Sequence, residues 1–351
     1  MIRAKLISFR EALEELVLTE KCMGCAACVA VCPLGCLEYV DEKPKLIKDC
    51  GDCTICTFIC PRHELTWPAL EESVFGRQKR PEEEFGVYRR IVVAQASDEK
   101  VLQTCQDGGV VTALLTYAFE NGIVDGAAVS GVSQDRPFYP VPRLVTTPEE
   151  VLECAGTRYT YSPNLLAFQE GISQNKKRLA FVGTPCQIQA LRKIEGLLLE
   201  YINPLQLTIG LLCTESFTYE GLMEKHIQEK LGVDLHDVKK INIKAKVLVT
   251  TKSGEVKVIP LKEAKQYTRK SCTICTDFSA ELADISVGGL GLSGWTFTIL
   301  RTEKGEKLFD DAVRKGFLKT RPIEEEKRAF DLLLRLSKRK RETAVLSSKP
   351  A

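Results

Sequence analysis

A small cysteine-rich unit followed by a larger mixed α/β domain is the architecture this sequence predicts, an α/β (α+β) chain overall. Three observations carry that expectation. Eight cysteines repeat in two matching runs between Cys22 and Cys60. From Ile91 onward, short segments rich in β-branched residues alternate with helix-like segments. The 351 residues are enough for about two domains of ~150 residues each.

Composition narrows the function. The hydrophobic fraction of 44% can supply a packed core, and a net charge of +2 gives no footprint for nucleic acid. No apolar run approaches the ~18 residues that span a membrane. The opening stretch MIRAKLISFREALEELVLTEK carries acids throughout, unlike a secretory signal, and reads as a short amphipathic helix. A cytoplasmic chain with no membrane span of its own is expected. Fifteen cysteines against three histidines then point to metal or redox chemistry rather than a disulfide framework. So few histidines argue against a His-ligated metal and against a Ser-His-Asp triad.

The first run is Cys22-x2-Cys25-x2-Cys28-x3-Cys32-Pro33, and the second is Cys50-x2-Cys53-x2-Cys56-x3-Cys60-Pro61. This is the spacing of a bacterial-type ferredoxin with two [4Fe–4S] clusters. Three cysteines two residues apart wrap one cubane. The fourth lies on a following helical turn, points away and ligates the cluster of the other repeat. One cluster is therefore expected on Cys22, Cys25, Cys28 and Cys60, and the other on Cys50, Cys53, Cys56 and Cys32. Zinc binding or a purely structural role is the competing reading. Cys36 falls outside the pattern and reads as a packed thiol. The unit spans 1–68 with its N-terminal helix, and the polar segment 69–90 reads as a linker.

In the larger domain, 91–322, the expected strands are IVVAQA, GAAVSGV, RLAFVG, LTIGLLC, VLVTT, VKVI, ADISVG and TFTIL. Helix-like segments such as VVTALLTYAFENG, PNLLAFQEGISQ, PCQIQALRKIEG and YEGLMEKHIQEKLG lie between them. Such alternation predicts a mixed, partly parallel sheet with flanking helices. VLVTTKSGEVKVI reads as a hairpin turning at Ser253-Gly254. The tail, 323–351, reads as an amphipathic helix with an acidic start and a basic end. That end reads as solvated, with docking to an acidic partner or a membrane surface as the alternative.

Four further cysteines stand out here. Cys186 lies where a strand gives way to a helix opened by proline, a place that lowers a thiol pKa. Cys213 ends a strand, and Cys272 and Cys275 form a C-x-x-C pair. Together they could converge on one more cubane; a zinc site, a redox disulfide or buried thiols remain the alternatives. Gly108-Gly109 precedes a helix and could offer backbone N–H groups to a phosphate, although such a pair is more often a plain turn. Gly289-x-Gly291-x-x-Gly294 matches the dinucleotide fingerprint by letter, but a strand follows it instead of a helix, so the reading is rejected. Cys105 and Cys154 read as small buried residues.

The segments DGGVVTALL, GTRYTYSPN, FVGTPCQIQALRK, LLCTESF and SCTICTDFSAELADISVGG with GWTFTILRTEKG together resemble the family of coenzyme F420 hydrogenase/dehydrogenase beta subunits over roughly residues 100–306. The resemblance implies an FAD beside a third [4Fe–4S] cluster, with coenzyme F420 as the hydride-exchanging substrate. It assigns the third cluster to Cys186, Cys213, Cys272 and Cys275. It places Gly108, Gly109, Thr112, Thr157, Arg158, Tyr159, Asp284 and Gly288 along the flavin. A two-cluster ferredoxin domain before this domain is most similar to the input subunits of archaeal F420H2 dehydrogenase complexes. The expected partners are then coenzyme F420 and other subunits of a membrane-bound complex that reduces a quinone or phenazine. The chain itself would be cytoplasmic and peripheral to the membrane through those subunits.

The function implied is oxidation of reduced coenzyme F420 with single electrons leaving through the clusters. No catalytic acid or base is expected, because hydride transfer does not require one. Lys176, Lys177, Arg178, Arg192 and Lys193 are candidates for the acidic tail of the coenzyme, with ordinary surface charge as the alternative. A flavin-free electron-transfer or assembly subunit is the rival class. A family member with another donor, such as a formate dehydrogenase beta subunit or a chlorophyll reductase, is the other rival.

Overall fold

The computed structural model describes residues 7–197 and 199–347. The first six residues of the expected N-terminal helix lie outside that range. The rest is helical over Phe9–Ala12, opened by a Ser8/Glu11 capping box, and widens into a π-helical turn over Leu13–Leu18. Each cysteine run ends in a single helical turn, Ala27–Ala30 and Ile55–Phe58. Between the runs, β1 (Leu37–Val40) and β2 (Lys43–Leu46) form an antiparallel hairpin. Its two turn residues, Asp41 and Glu42, take φ of 49° and 61°, the geometry of a type I′ turn.

The larger domain is built on an eight-stranded sheet. Its members are β3 (Arg90–Ala96), β4 (Gly126–Val132), β5 (Pro140–Val145), β6 (Leu179–Gly183) and β7 (Leu205–Leu211). After three strands of a second sheet, β8 (Val238–Lys244), β9 (Lys246–Thr251) and β10 (Val256–Pro260), it resumes with β11 (Ile285–Gly288), β12 (Thr296–Leu300) and β13 (Leu318–Pro322). The spatial order is β13-β3-β12-β11-β7-β6-β4-β5. Strands β4, β6, β7 and β11 run parallel, and antiparallel neighbours continue the sheet on either side. β6 is buried at every position, as a parallel strand covered on both faces must be.

Three strands of the larger domain escape the sequence reading: β5, β8 and β13. Each is the edge strand of its sheet. Their segments PVPRLV, VKKINIK and LKTRP carry proline or several charges, which an unpaired edge tolerates and an interior strand does not. The hairpin expected at Ser253-Gly254 is present as β9 and β10.

One core lies against the helices Val110–Glu120 and Glu303–Arg314. A second lies under the helices Leu165–Ser173 and Pro185–Glu195 and takes in Ala27, Ala30, Val31 and Ile59 of the N-terminal unit. The two units thus share a core. Residues 69–90 differ accordingly from an open linker. They begin inside the helix Trp67–Phe75 and then bury Phe85 and Val87. Glu83 pairs with Arg77 and Glu71 accepts from the Lys79 amide within the segment, while Lys79, Arg89 and Arg90 pair with Glu281, Glu306 and Asp310 of the larger domain. The C-terminal helix is also more than a tail. Over Lys327–Ser347 it buries Ala329, Leu333, Ser337 and Ala344, and the first two join the core that holds Phe85 and Phe297.

Candidate redox centre

Ligand sites of open α/β sheets gather beyond the carboxyl ends of parallel strands, and this sheet follows the rule. β6 stops at Gly183, and Thr184, Pro185 and Cys186 open the next helix with a capping box between Thr184 and Gln187. β7 stops at Leu211, and the amide of Cys213 donates to the Phe278 carbonyl at 2.8 Å. Cys272 sits in the single helical turn Lys270–Thr273, and Cys275 follows it. All four cysteines line one cleft, partly open to solvent. The Cys186 sulfur lies 3.3 Å from the Tyr161 hydroxyl and 3.2 Å from that of Thr184. The Ser216 amide donates to Cys272 at 3.5 Å.

In the N-terminal unit, Cys32, Cys50, Cys53 and Cys56 line a second pocket, which also takes in Cys36 and Phe9. This is the crossed set the repeat predicts: one cysteine from the first run and three from the second. Burial pushes Cys28 well above the ordinary thiol range, and the thiols that push it further are Cys25, Cys22, Cys60 and Cys56. Among thiols, Cys60 acts most on Cys25, ahead of Cys22, and Cys22 acts on Cys60 in turn, which sets Cys60 beside the first run. Burial likewise raises Cys25 and Cys60, and raises Cys56 to about 12. Buried thiols this close resist joint ionisation unless cations share the space, and iron would supply them. Among the described residues no three His, Cys, Asp or Glu side chains form a group fit for a single metal ion. The thiols ring voids instead.

The two cysteine regions touch. Met23, next to Cys22, lines the cleft of Cys186. Its carbonyl accepts from Arg269 at 3.0 Å, and the Arg269 guanidinium lies 4.5 Å over the Tyr161 ring. Tyr161 is raised by burial, then by Cys186 and Cys25, so it stands within reach of both sets. Arg62 donates to the carbonyls of Ser271 (3.1 Å) and Ile274 (3.3 Å), and Lys193 donates to the Cys60 carbonyl at 3.0 Å.

Cations surround the cleft, and sequence reasoning missed all of them. Arg62 and Arg269 come from either side of the junction, and Lys340 comes from the C-terminal helix. Burial pulls the Lys340 ammonium down, but Cys275, Cys213, Cys272 and Glu215 together outweigh burial and hold it above its ordinary value. The basic end of the helix is therefore turned inward at this residue. The next one, Arg341, pairs with the buried Glu281.

The residues expected along the flavin divide into two groups. Gly108 and Gly288 lie at the same edge of the sheet as the cysteine cleft. Gly108 donates to Thr296 Oγ at 3.0 Å, and Thr296 neighbours Phe297, the partner of Gly288 across the ladder. The Gly108 amide is thus engaged by the protein itself. Gly109 starts the following helix with φ 72°, and Thr112 is buried within that helix. Gln106 reaches the Tyr159 hydroxyl at 3.4 Å, and that hydroxyl also accepts from the Ile243 amide. Arg158 donates to the carbonyls of Cys154 and Gly156, beside the exposed Thr157. Hydrogen bonds and chain adjacency thus link a rim of residues from the glycine pair through Gln106, Tyr159 and Tyr161 to Cys186.

Asp284 does not belong to that rim. It precedes β11, at the far end of the strand from Gly288. It is fully buried, accepting from the Thr208 amide and hydroxyl and the Thr302 hydroxyl, each at 2.8 Å, and pairing with Arg192 and Lys304. Its oxygens are occupied by the protein, so its role is to tie β7, β11 and the helix Pro185–Glu195 together. Arg192 is corrected by the same network: it is 3% exposed and committed to Asp284, Glu195 and the Leu282 carbonyl. Lys176, Lys177 and Arg178 precede β6 and so lie at the edge away from the cleft. Cys105 and Cys154 are buried, as expected.

Fold and site together define a cysteine-rich, ferredoxin-like unit packed onto a mixed α/β domain that carries four further cysteines in one cleft. Comparison with known proteins narrows the class. Residues 91–169 and 176–326 match the N-terminal and C-terminal models of the coenzyme F420 hydrogenase/dehydrogenase beta subunit, and residues 16–38 match a 4Fe-4S binding domain. The coenzyme F420 hydrogenase subunit beta of Methanococcus voltae is 40% identical, over 74% of this chain and 93% of that protein. An F(420)H(2) dehydrogenase subunit of Methanosarcina mazei is 33% identical, over 85% of this chain and 84% of that protein. A chain of the F420-reducing [NiFe] hydrogenase complex from Methanosarcina barkeri superposes with a TM-score of 0.73 at 35% identity, covering 76% of this chain and 94% of that one. The chain belongs to the family of coenzyme F420 hydrogenase/dehydrogenase beta subunits.

Proposed function

We propose that this chain oxidises reduced coenzyme F420, with hydride passing to FAD and single electrons passing through three [4Fe–4S] clusters to partner subunits. The observation that carries the reading is the convergence of Cys186, Cys213, Cys272 and Cys275 on one cleft that borders the N-terminal cysteine unit. When bound, a flavin converts a two-electron hydride into single electrons that iron–sulfur clusters carry.

The protein's own residues bind and position. Cys22, Cys25, Cys28 and Cys60 would hold one cluster, Cys32, Cys50, Cys53 and Cys56 the second, and the cleft cysteines the third. Tyr161 and Thr184 fix the Cys186 sulfur by hydrogen bonds. Arg62 and Arg269 close the junction between the two cysteine regions. Gly108, Gly109, Thr112, Thr157, Arg158, Tyr159 and Gly288 would border the flavin. No side-chain acid or base is assigned. Among the described residues no helix is long and apolar enough to cross a membrane. Relatives named as subunits support the presence of partner subunits; a peripheral place on a membrane-bound complex that reduces a quinone or phenazine is part of the proposal.

The test is anaerobic. The full chain is reconstituted with iron, sulfide and FAD, and reduced coenzyme F420 is compared with NADH as donor to a viologen dye. Turnover with the deazaflavin alone is expected. No turnover with either donor, despite bound flavin and intact clusters, would overturn the dehydrogenase reading and leave an electron relay.

A further inference from the structure

The C-terminal helix Lys327–Ser347 begins beyond the residues that match the family models, which end at 326. It is held firmly where it passes the cysteine cleft. Ser337 is buried on its inner face, and Arg341 reaches the Glu84 carbonyl and the Glu281 carboxylate. Between these two anchors Lys340 enters the cleft beside Cys213, Cys272 and Cys275, and its ammonium donates to the Thr214 carbonyl. A lysine directed inward against three cysteines is not the solvated charge that its setting in SKRKRE implies.

We propose that Lys340 is a positioning residue that sets the reduction potential of the cluster held by Cys186, Cys213, Cys272 and Cys275. This inference rests on the reading of the cleft as a cluster site. The step it acts on is the gain of one electron, delivered by a reduced flavin or, in a titration, by dithionite. No bond forms or breaks, and the thiolate-bound cluster becomes one charge more negative. A fixed cation at its wall stabilises the reduced form more than the oxidised one. The cluster of Cys22, Cys25, Cys28 and Cys60 has cations of its own, Lys43 on the Cys22 carbonyl and Lys193 on the Cys60 carbonyl. Lys340 therefore acts on the third cluster alone, making it an easier acceptor of an electron than it would be without the lysine.

The test is an EPR-monitored potentiometric titration of the reconstituted full chain, comparing wild type with Lys340→Met, Lys340→Gln and Lys340→Arg. Lys338→Met, on the exposed face, is the control. Both neutral variants are expected to make one cluster about tenfold harder to reduce, a shift of ~59 mV for one electron. Lys340→Arg should return most of the shift, and Lys338→Met should produce none. Lys340→Gln keeps a donor for the Thr214 carbonyl, so its agreement with Lys340→Met would assign the effect to charge. Unchanged potentials in both neutral variants would overturn the proposal, as would equal shifts in all the clusters. A Cys272→Ala/Cys275→Ala double variant tests the underlying reading separately. If it keeps the full iron content of the wild type, the cleft holds no cluster and both readings fail. If it loses one cluster while the lysine variants leave the potentials unmoved, only the role of Lys340 fails.

Discussion

The N-terminal unit and the cleft both gather cysteines, but they do so over different lengths of chain. Eight thiols of the first come from the stretch between Cys22 and Cys60, where each run is a loop closed by one helical turn. The four thiols of the second lie between Cys186 and Cys275 and reach the cleft from two strand ends and a distant helical turn. Local geometry positions the first set, and the tertiary fold positions the second. The surroundings differ in the same sense. The second pocket is walled mainly by its cysteines with Phe9, Pro33 and Leu37, whereas the cleft admits Arg62, Arg269 and Lys340.

The largest test of this difference removes ligands. A Cys272→Ala/Cys275→Ala double variant should lose one cluster's worth of iron and leave the ferredoxin-type EPR signals in place. Cys53→Ala should do the reverse, costing a cluster in the N-terminal unit and sparing the cleft. Equal iron loss at both regions from either variant would mean that the two sites do not assemble independently.

Next in size is the support beneath the cleft. Arg301 is 1% exposed and donates to the Ser286 hydroxyl (2.7 Å) and to the carbonyls of Val87 (2.8 Å), Phe85 (3.1 Å) and Ser279 (3.0 Å). It also offsets the buried carboxyls of Glu281 and Asp277. Arg301→Met would leave those carbonyls and acids without their cation, at a cost of ~3–5 kcal/mol. Lower thermal stability, with loss of the cleft cluster before the other two, is the expected outcome. Simultaneous loss of all the clusters would show that the shared core joins the regions more tightly than their ligand geometry implies.

A smaller effect comes from the glycine rim. A Cβ on Gly108 would stand 2.6 Å from the Ala94 carbonyl oxygen and 2.7 Å from the Thr296 amide nitrogen. Both are backbone atoms and cannot swing aside, so Gly108→Ala should cost ~1–3 kcal/mol through forced shifts. At Gly196 the nearest atom lies 3.7 Å from such a Cβ and φ is −68°, so Gly196→Ala is the tolerated control. Melting temperatures of the pair measure the difference. No difference would mean that β3 and β12 yield at the rim.

These contrasts explain which parts were legible in the sequence. The Cys22–Cys60 array was readable because its geometry is local and spacing is what sequence records best. The interior strands were readable as apolar runs, while β5, β8 and β13 were not, because an edge strand tolerates proline and lysine. The four cleft cysteines could be named from the sequence, but only the fold brings Cys213 to Cys272. Asp284 and Arg192 illustrate the remaining gap. A buried ion pair looks like any other two charges until its partner arrives from a distant part of the chain, so one was mistaken for a flavin contact and the other for a surface cation. Lys340 was hidden in a basic run for the same reason, and residues 69–90 looked like a linker because the partners of Lys79, Arg89 and Arg90 lie far along the chain.

The finest test uses pH. Glu281 is buried, and burial followed by the neighbouring Asp277 raises its carboxyl to about 7, against the pull of Arg341, Lys79 and Arg301. The folded chain therefore keeps a proton there that the unfolded chain, with an ordinary carboxyl, releases at lower pH. Between the ordinary carboxylate range and pH ~7 the folded state binds more protons, so stability falls as pH rises through that window. Glu281→Gln keeps an acceptor for Arg341 and removes the titration. The variant should lose the part of the decline due to this residue, on the order of 1 kcal/mol, as read from melting temperatures at pH 5 and pH 8. The N-terminal unit shows no comparable buried carboxyl among the described residues, so its cluster signals should keep their pH dependence in the variant. An unchanged slope in the melting temperatures would mean that Arg341 and Lys79 keep Glu281 ionised throughout, and that the cleft is supported by a fixed ion pair rather than by a group that titrates.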